Sequence, residues 1–388
     1  MTIQEKIRQL QCGTGQTPIR EPDSLSPVSH VAEPVGRESV VHALLARLEP
    51  AFDGQLPPNV YVWGPMGAGK SALFSALFHR LERAPTQSEF PTATHSQPAD
   101  EPAFLYADAR RVPTRFSLFR AILDELVDDS VPGAGVETAA LHARIRRALS
   151  SSERRLVLAV DHVGEPETFS VGSLASMLES FESSVAWLAI GRSAPASTDY
   201  DGASNCLQIP AYRRGTLAEI VRFRADAGLD SNAITDDQIG KIASWADGNA
   251  HDALTALWGG ATLAADRGRT QIRSRDLVDA ITDIPQPAVP LGRVMELPQN
   301  RRRVLRGLVD AGAGERESVA TAAETVADGI DLCPTTVERF LYELADAGII
   351  ERVRRSRPVG RSGRPPSRLK PRFPPTVFKQ LPDPDAAP

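Results

Sequence analysis

Apolar positions along the chain of 388 residues follow two alternating rhythms. The stretch "RESVVHALLARLEPAF" has the i, i+3, i+4 spacing of a half-buried helix. "PPNVYVWG" is a short continuous apolar run, entered from two prolines and closed by glycine, the form of a buried strand. "KSALFSALFHRLER" returns to helical spacing. Beyond it, "AFLYADA", "RLVLAV" and "SVAWLAI" read as strands, while "TRFSLFRAILDELV", "ETAALHARIRRALS" and "VGSLASMLESF" read as helices. Strands alternating with helices predict an α/β unit built on a parallel sheet covered on both faces. From Thr216 to Ile284 only the helical rhythm persists, so a small all-α bundle is expected there. After the linker "PQPAVPLG", three more helices are predicted in "NRRRVLRGLVDAG", "ESVATAAETVADG" and "CPTTVERFLYELADAGII". "IERVRRSRPVGRSGRPPSRLKPRF" then reads as two short strands around a tip rich in Gly, Arg and Pro.

These rhythms divide the chain into a flexible leader (1–30), an α/β core (31–209), a helical lid (210–284), a linker (285–298), a third module (299–375) and a flexible tail (376–388). A hydrophobic content of 41% and this length suit two or three globular domains. Nothing approaches the roughly 20 consecutive apolar residues of a membrane span. The polar start "MTIQEKIRQLQ" lacks the apolar core of a signal peptide, so no membrane association and a cytoplasmic location are expected. Cys12, Cys206 and Cys333 are far apart and lack metal-ligand spacing, so they read as ordinary thiols. Five lysines against 39 arginines suit a GC-rich genome.

Charge is unevenly spread. Residues 351–372 hold nine basic residues against Glu351, a local net of +8, and the overall −5 then leaves −13 on the remainder. An acidic body with one basic arm fits local docking on nucleic acid, although a solvated basic tail has the same composition. In the third predicted helix, Pro334 suits the first turn and Gly348 the stop. Leu341, Leu344 and Ile349 are then expected in the core, leaving Thr335, Thr336, Glu338 and Arg339 at an exposed end suited to a major groove. Arg352, Arg354, Arg355, Arg361, Arg364 and Arg368 would supply the charge of the adjoining strands and tip.

The chemistry is concentrated in "GPMGAGKS", which fits GxxxxGK[ST] and lies between a predicted strand and helix. Gly64, Gly67 and Gly69 permit the turn that aims amide groups at phosphate oxygens, with Ala68 between them. Lys70 would reach the outer phosphates of ATP, and Ser71 would ligate Mg²⁺. Asp161 ends "RLVLAV", where a second magnesium-orienting carboxylate belongs. His162 then stands where many such ATPases place a water-polarising glutamate. It reads either as a weak replacement or as a loop histidine making a local hydrogen bond. Glu165 can substitute only if the loop folds back.

With "PVGRE", "PPNVYVWGPMGAGKSAL", Asp161, "IPAYRRGTLAEIVRFRADAG" and "AITDDQIGKIASWADGNAHDAL" in view, the chain resembles the archaeal Orc/Cdc-type replication initiators over about residues 31–375. That resemblance implies an AAA+ P-loop ATPase core, a small all-α lid and a C-terminal winged helix-turn-helix domain. It places Tyr212 and Arg224 of the lid on the nucleotide, although Tyr212 also suits a core aromatic and Arg224 a solvated helix face. It further implies binding to duplex origin DNA, recruitment of the MCM helicase and partnership with other initiator subunits. Three departures from the family pattern bear on hydrolysis: His162 replaces the glutamate, "IGRS" replaces a polar sensor, and His251 replaces the lid's sensor arginine. Tight ATP binding with slow or absent hydrolysis is therefore expected. A winged-helix NTPase acting as a transcriptional or signalling regulator, and a structural paralogue within an initiator assembly, are the other readings.

Overall fold

The structure, a computed structural model, describes residues 17–31, 33–83, 102–127, 135–151, 155–202, 205–312, 314–354 and 367–382. In chain order its elements begin with helices α1 (Pro22–Leu25) and α2 (Glu38–Phe52), strand β1 (Val60–Trp63) and helix α3 (Lys70–Arg83). Next come β2 (Ala103–Asp108), α4 (Arg115–Leu126), α5 (Thr138–Ser151), β3 (Leu156–Val163), α6 (Val171–Leu178), β4 (Val185–Gly191) and β5 (Cys206–Gln208). Helices α7 (Arg214–Gly228), α8 (Asp236–Trp245), α9 (Ala250–Asp266), α10 (Ser274–Asp283) and α11 (Leu291–Met295) follow. The chain closes with α12 (Gln299–Asp310), α13 (Val319–Asp328), α14 (Pro334–Asp346), β6 (Ile350–Arg354), β7 (Ser367–Pro371) and α15 (Pro375–Gln380).

Residues 30–216 form one unit. Its five strands pair in parallel in the order β2-β3-β4-β1-β5. Alternate residues of β3 serve opposite faces, as the twofold repeat of a strand requires. Leu156, Leu158 and Val160 join Phe119, Ile122, Ile145 and Trp187 in one apolar layer, and Val157 and Ala159 join Leu44, Phe74, Phe78 and Ile190 in the other. Burial on both faces explains why the strands read as unbroken apolar runs. Helix α4 starts at a capping box, in which the Thr114 hydroxyl accepts from the Ser117 amide and the Ser117 hydroxyl accepts from the Thr114 amide. The edge strand β5 escapes the periodicity because it has three residues, none of them buried.

The second unit comprises residues 217–388 together with the N-terminal 1–29. Residues 17–29 were expected in a flexible leader, and the structure corrects this. Ile19 forms an antiparallel bridge with Leu229, the Arg20 guanidinium donates to the carbonyls of Asp226 and Ala227, and Leu25 is fully buried. Gly228 allows the approach, since a Cβ there would lie 2.5 Å from the Leu25 side chain. The tail boundary shifts too: α15 buries Val377 and Phe378, and Phe378 packs edge-on against Phe373 with centroids 4.9 Å apart. Both segments are too short for a periodicity signal, yet carry apolar side chains whose burial is worth about 1.5–3 kcal/mol each. The lid helices are stapled by local chemistry, including a Thr235 and Gln238 capping box on α8 and the fully buried Asp276 carboxylate between Arg267 and Arg269. In the third module α12, α13 and α14 precede the antiparallel ribbon β6-β7, an arrangement consistent with a winged helix. Leu341, Leu344 and Ile349 are buried there, as the spacing predicts. Among the described residues no helix is long and apolar enough to cross a membrane.

Candidate functional site

The loop Gly64–Ser71 joins the C-terminal end of β1 to the first turn of α3, where a parallel sheet and a helix N-terminus jointly favour an anion. Gly67 and Gly69 have φ of +71° and +75°, the left-handed region that glycine enters at little cost. Gly64 is held by a close approach, because a Cβ would lie 2.1 Å from the carbonyl oxygen of Ile209. At Gly69 a Cβ would lie 2.3 Å from the Tyr212 hydroxyl. The Lys70 ammonium donates to the carbonyls of Gly64 (2.7 Å) and Pro65 (2.8 Å), and burial pulls its pKa down to about 8.

Arg37, from the "GRE" that precedes α2, locks the back of the loop. Its buried guanidinium donates to the carbonyls of Ala68 (2.7 Å) and Pro210 (2.8 Å) and lies 3.7 Å over the Tyr212 ring. Tyr212 is thus a buried aromatic packed against the phosphate loop, as the core reading of that residue has it.

At the end of β3 the Asp161 carboxylate is almost fully buried. Its Oδ1 accepts from the His162 amide (2.7 Å) and its Oδ2 from the Tyr106 hydroxyl (2.8 Å). Burial alone would raise its pKa, but the hydrogen bonds from Ser71, Tyr106 and the His162 amide hold it below the ordinary carboxylate value. His162 has φ of +61°, and the turn after it carries Gly164 at +77°. The Thr168 hydroxyl closes that turn by donating to the carbonyls of His162 and Glu165. The loop therefore folds back, and Glu165 comes within 3.1 Å of His162 Nδ1 and 2.7 Å of Arg192 Nη2.

Hydrogen-bond logic fixes the state of the ring. Arg110 Nη2 lies 2.6 Å from His162 Nε2, and a guanidinium can only donate. Nε2 must accept, so the proton sits on Nδ1 and points at Glu165. Arg110 is itself held by Asp108, with Nη2 to Oδ2 at 2.8 Å and Nε to Oδ1 at 3.1 Å. Burial opposes ionisation of Glu165, but the His162 hydrogen bond, Arg192 and Arg110 outweigh it and lower its pKa. His162 Nε2 stands 3.5 Å from the Ser71 hydroxyl and 3.6 Å from Asp161 Oδ2. Asp161, ionised beside the Ser71 hydroxyl, fits a magnesium ion, which takes one or two protein oxygens and completes its shell with phosphates and water. Among the described residues no group of three or more His, Cys, Asp and Glu side chains is arranged to hold a metal by itself.

Sequence reasoning missed Tyr106, Asp108, Arg110 and Arg37, and noticed "IGRS" only as a missing sensor, not as Arg192 paired with Glu165. The usable signal was "YADAR", a strand whose polar residues at its C-terminal end line up with Asp161; Asp108 and Asp161 are register partners.

The two lid residues Arg224 and His251 make these contacts within their own unit. Arg224 is buried, and its guanidinium donates to the carbonyls of Ser26 and Ser29 in its own unit. His251 accepts from the Leu291 amide at Nε2 (3.1 Å) and places Nδ1 3.3 Å from Asp252 Oδ1. In the third module, Thr335 and Arg339 are exposed and Thr336 half-exposed on the first turns of α14. Arg339 stacks 5.1 Å from the Phe340 centroid, Arg352 lies 4.7 Å over the Tyr342 ring, and Arg368 is exposed on β7. Arg354 ends β6, whereas Arg355, Arg361 and Arg364 lie outside the described residues.

Residues 33–188 match the AAA ATPase domain family. ORC1-type DNA replication protein 6 of Halobacterium salinarum is 24% identical over 356 residues, covering 87% of this chain and 90% of that protein. The Orc1 protein of Aeropyrum pernix, solved in complex with DNA, matches with a TM-score of 0.60 and 21% identity over 93% of this chain and 96% of its own. Cdc6p of Pyrobaculum aerophilum matches with a TM-score of 0.56 and 16% identity over 93% of this chain and 98% of its own. Archaeal ORC1-type replication proteins are thus homologues of this chain, as its resemblance to the Orc/Cdc-type initiators implied. The solved structures share the fold.

Proposed function

We propose that this chain is a replication initiator that binds ATP with Mg²⁺, docks on duplex origin DNA through its third module, and turns ATP over slowly. The phosphate loop supports binding: two positive-φ glycines, a buried lysine on exchangeable carbonyls, and a helix N-terminus all favour a polyphosphate. Ser71 and Asp161 would hold the magnesium ion, which supplies charge neutralisation between the outer phosphates when bound.

The observation that carries slow turnover is the bond from Arg110 to His162 Nε2. That nitrogen is the ring's free lone pair, and a water can lose a proton to it only after the guanidinium withdraws. Glu165, the other base within reach, is committed to His162 and Arg192. For DNA, support comes from exposed Thr335 and Arg339 at the start of α14, flanked by the +8 segment. In that role its partners would be the MCM helicase and further initiator subunits.

One set of samples tests the reading. A fluorescent ATP analogue should bind tightly while phosphate release stays near the detection limit, and mapping of bound DNA in cells should give a few clustered sites. Several turnovers per second would remove the slow-switch reading, and occupancy spread over many promoters would replace initiation by regulation.

A further inference from the structure

We infer that α11 is a strut that fixes the DNA-facing helix α14 to the lid, with His251 and Arg293 as its two positioning residues. The strut has five residues, and both ends are tied to different modules of the same unit. At its start, the Leu291 amide donates to His251 Nε2 (3.1 Å). An amide only donates, so this bond fixes the ring's tautomer and aims Nδ1 at Asp252 Oδ1. Asp252 is buried, and its amide donates to Asn249, the N-cap of α9. His251 is thereby set rigidly on the lid helix that bears it.

Two residues further along the strut, the Arg293 guanidinium donates to the carbonyl of Ala347 (3.0 Å), the residue that caps the C-terminal end of α14. A cation at that end also meets the negative end of the helix dipole. Between these ties Leu291 and Val294 are fully buried, and the buried Arg302 of α12 caps the strut's far end through the carbonyls of Met295 (3.2 Å) and Leu297 (2.5 Å). A second, independent crossing lies on the other side. Val377 of α15 packs where a Cβ on Gly259 of α9 would be 3.5 Å away, the Thr376 amide donates to Asp283 of α10 (3.0 Å), and Arg306 of α12 donates to the Leu381 carbonyl (2.7 Å).

Packed elements with two attachments shift as a body and do not bend gradually. A displacement of α9 therefore carries the exposed face of α14 with it. The position where the resemblance implies a phosphate-sensing arginine instead joins lid to DNA-facing helix. The use of this linkage in initiation rests on the proposed function, but the linkage itself does not.

The test uses the full chain with its native cysteines replaced by serine and spin labels attached through Val278→Cys on α10 and Glu324→Cys on α13. The distance distribution should be single and narrow, and unchanged by a non-hydrolysable ATP analogue. Arg293→Met should broaden it, and His251→Phe should do the same. Circular dichroism checks that each variant is folded, and Arg293→Met, on a half-buried side chain, keeps the test usable if His251 cannot be replaced. A parent distribution that is broad or moves with nucleotide would overturn the inference, as would a folded Arg293→Met chain with the parent's width. Duplex affinity with and without the analogue, measured on the same samples, separately decides the functional reading.

Discussion

The phosphate loop and the end of β3 stand on neighbouring parts of one sheet, yet their polar groups are kept in opposite conditions. At the loop, the Lys70 ammonium rests on two neutral carbonyls, a pairing that an incoming phosphate improves by substituting a charged acceptor. At β3 every charge already has its complement: Asp108 holds Arg110, Glu165 holds Arg192, Asp161 is bonded by Tyr106 and Ser71, and His162 lies between Arg110 and Glu165. Using the first region releases nothing of value, whereas using the second requires breaking a charge-assisted bond worth about 1.5–3 kcal/mol. On the proposed function, affinity and turnover would be separable properties of this site, the first favoured by the loop and the second restrained by the bonds at the end of β3.

The largest effect should come from breaking the favourable region. Lys70→Ala removes a charged donor from the phosphates and should weaken binding of a fluorescent ATP analogue by about 100-fold, at the upper end of the range for hydrogen bonds to charged groups. Thermal stability without nucleotide should hold or rise, because a buried ammonium is lost. Undiminished affinity would mean that the loop is a structural turn. Next, His162→Glu should free the restrained region, raising phosphate release by about tenfold or more, since a positioned general base contributes about 10²–10⁴-fold. The gain is capped by one cost: a fourth carboxylate crowded among Asp108, Asp161 and Glu165. Nucleotide affinity should barely change. Equal turnover in both proteins would place the restraint in the arginines and not in the ring.

Much of the fold could be read in advance because apolar periodicity reports burial, and the buried strands and helices of the core are long enough to show it. Lys70–Arg83 and the C-terminal helix Pro334–Asp346 coincide with their patterns, and the loop was legible because its glycines answer to backbone needs, close approach at Gly64 and positive φ at Gly67 and Gly69. The restraint at β3 was not, since it depends on which side chains three separate strands bring together. Tyr106, Asp108 and Arg192 are ordinary residues until β2, β3 and β4 are laid side by side. The partners of Arg224 and His251 were illegible for a related reason: a family position fixes where a residue lies along the chain, while its hydrogen bonds go to segments such as Ser26–Ser29 that carry no pattern of their own.

A pH series sharpens the same contrast with an effect of about tenfold. In the empty site burial holds the Lys70 pKa at about 8, against an ordinary value of 10.5. Below pH 8 the ammonium is present before nucleotide arrives. Above it, binding must take up a proton, so affinity should fall by about tenfold between pH 7 and 9. Stability of the empty chain should move the other way. The unfolded lysine keeps its proton up to about pH 10.5 while the folded one has lost it, so the burial penalty disappears and stability rises across that window. Affinity and stability falling together would instead indicate general unfolding in base.

The smallest effect concerns what stiffens the loop from behind. Arg37 spans Ala68, Pro210 and the Tyr212 ring, so the ring face holds a guanidinium that also holds the loop. A cation over an aromatic face contributes about 0.5–2 kcal/mol, more when desolvated as here. Tyr212→Leu should thus weaken analogue binding by a few-fold, about 1 kcal/mol, and lower the melting temperature of the empty chain. Tyr212→Phe keeps the face and removes only the hydroxyl that lies against Gly69, so its affinity should stay within about twofold of the parent's. Isothermal titration of both variants checks the pair. If phenylalanine proves as costly as leucine, the hydroxyl and not the cation-holding ring steadies the loop, and the pre-organisation of the binding region would rest on Gly69 and its contact with that hydroxyl.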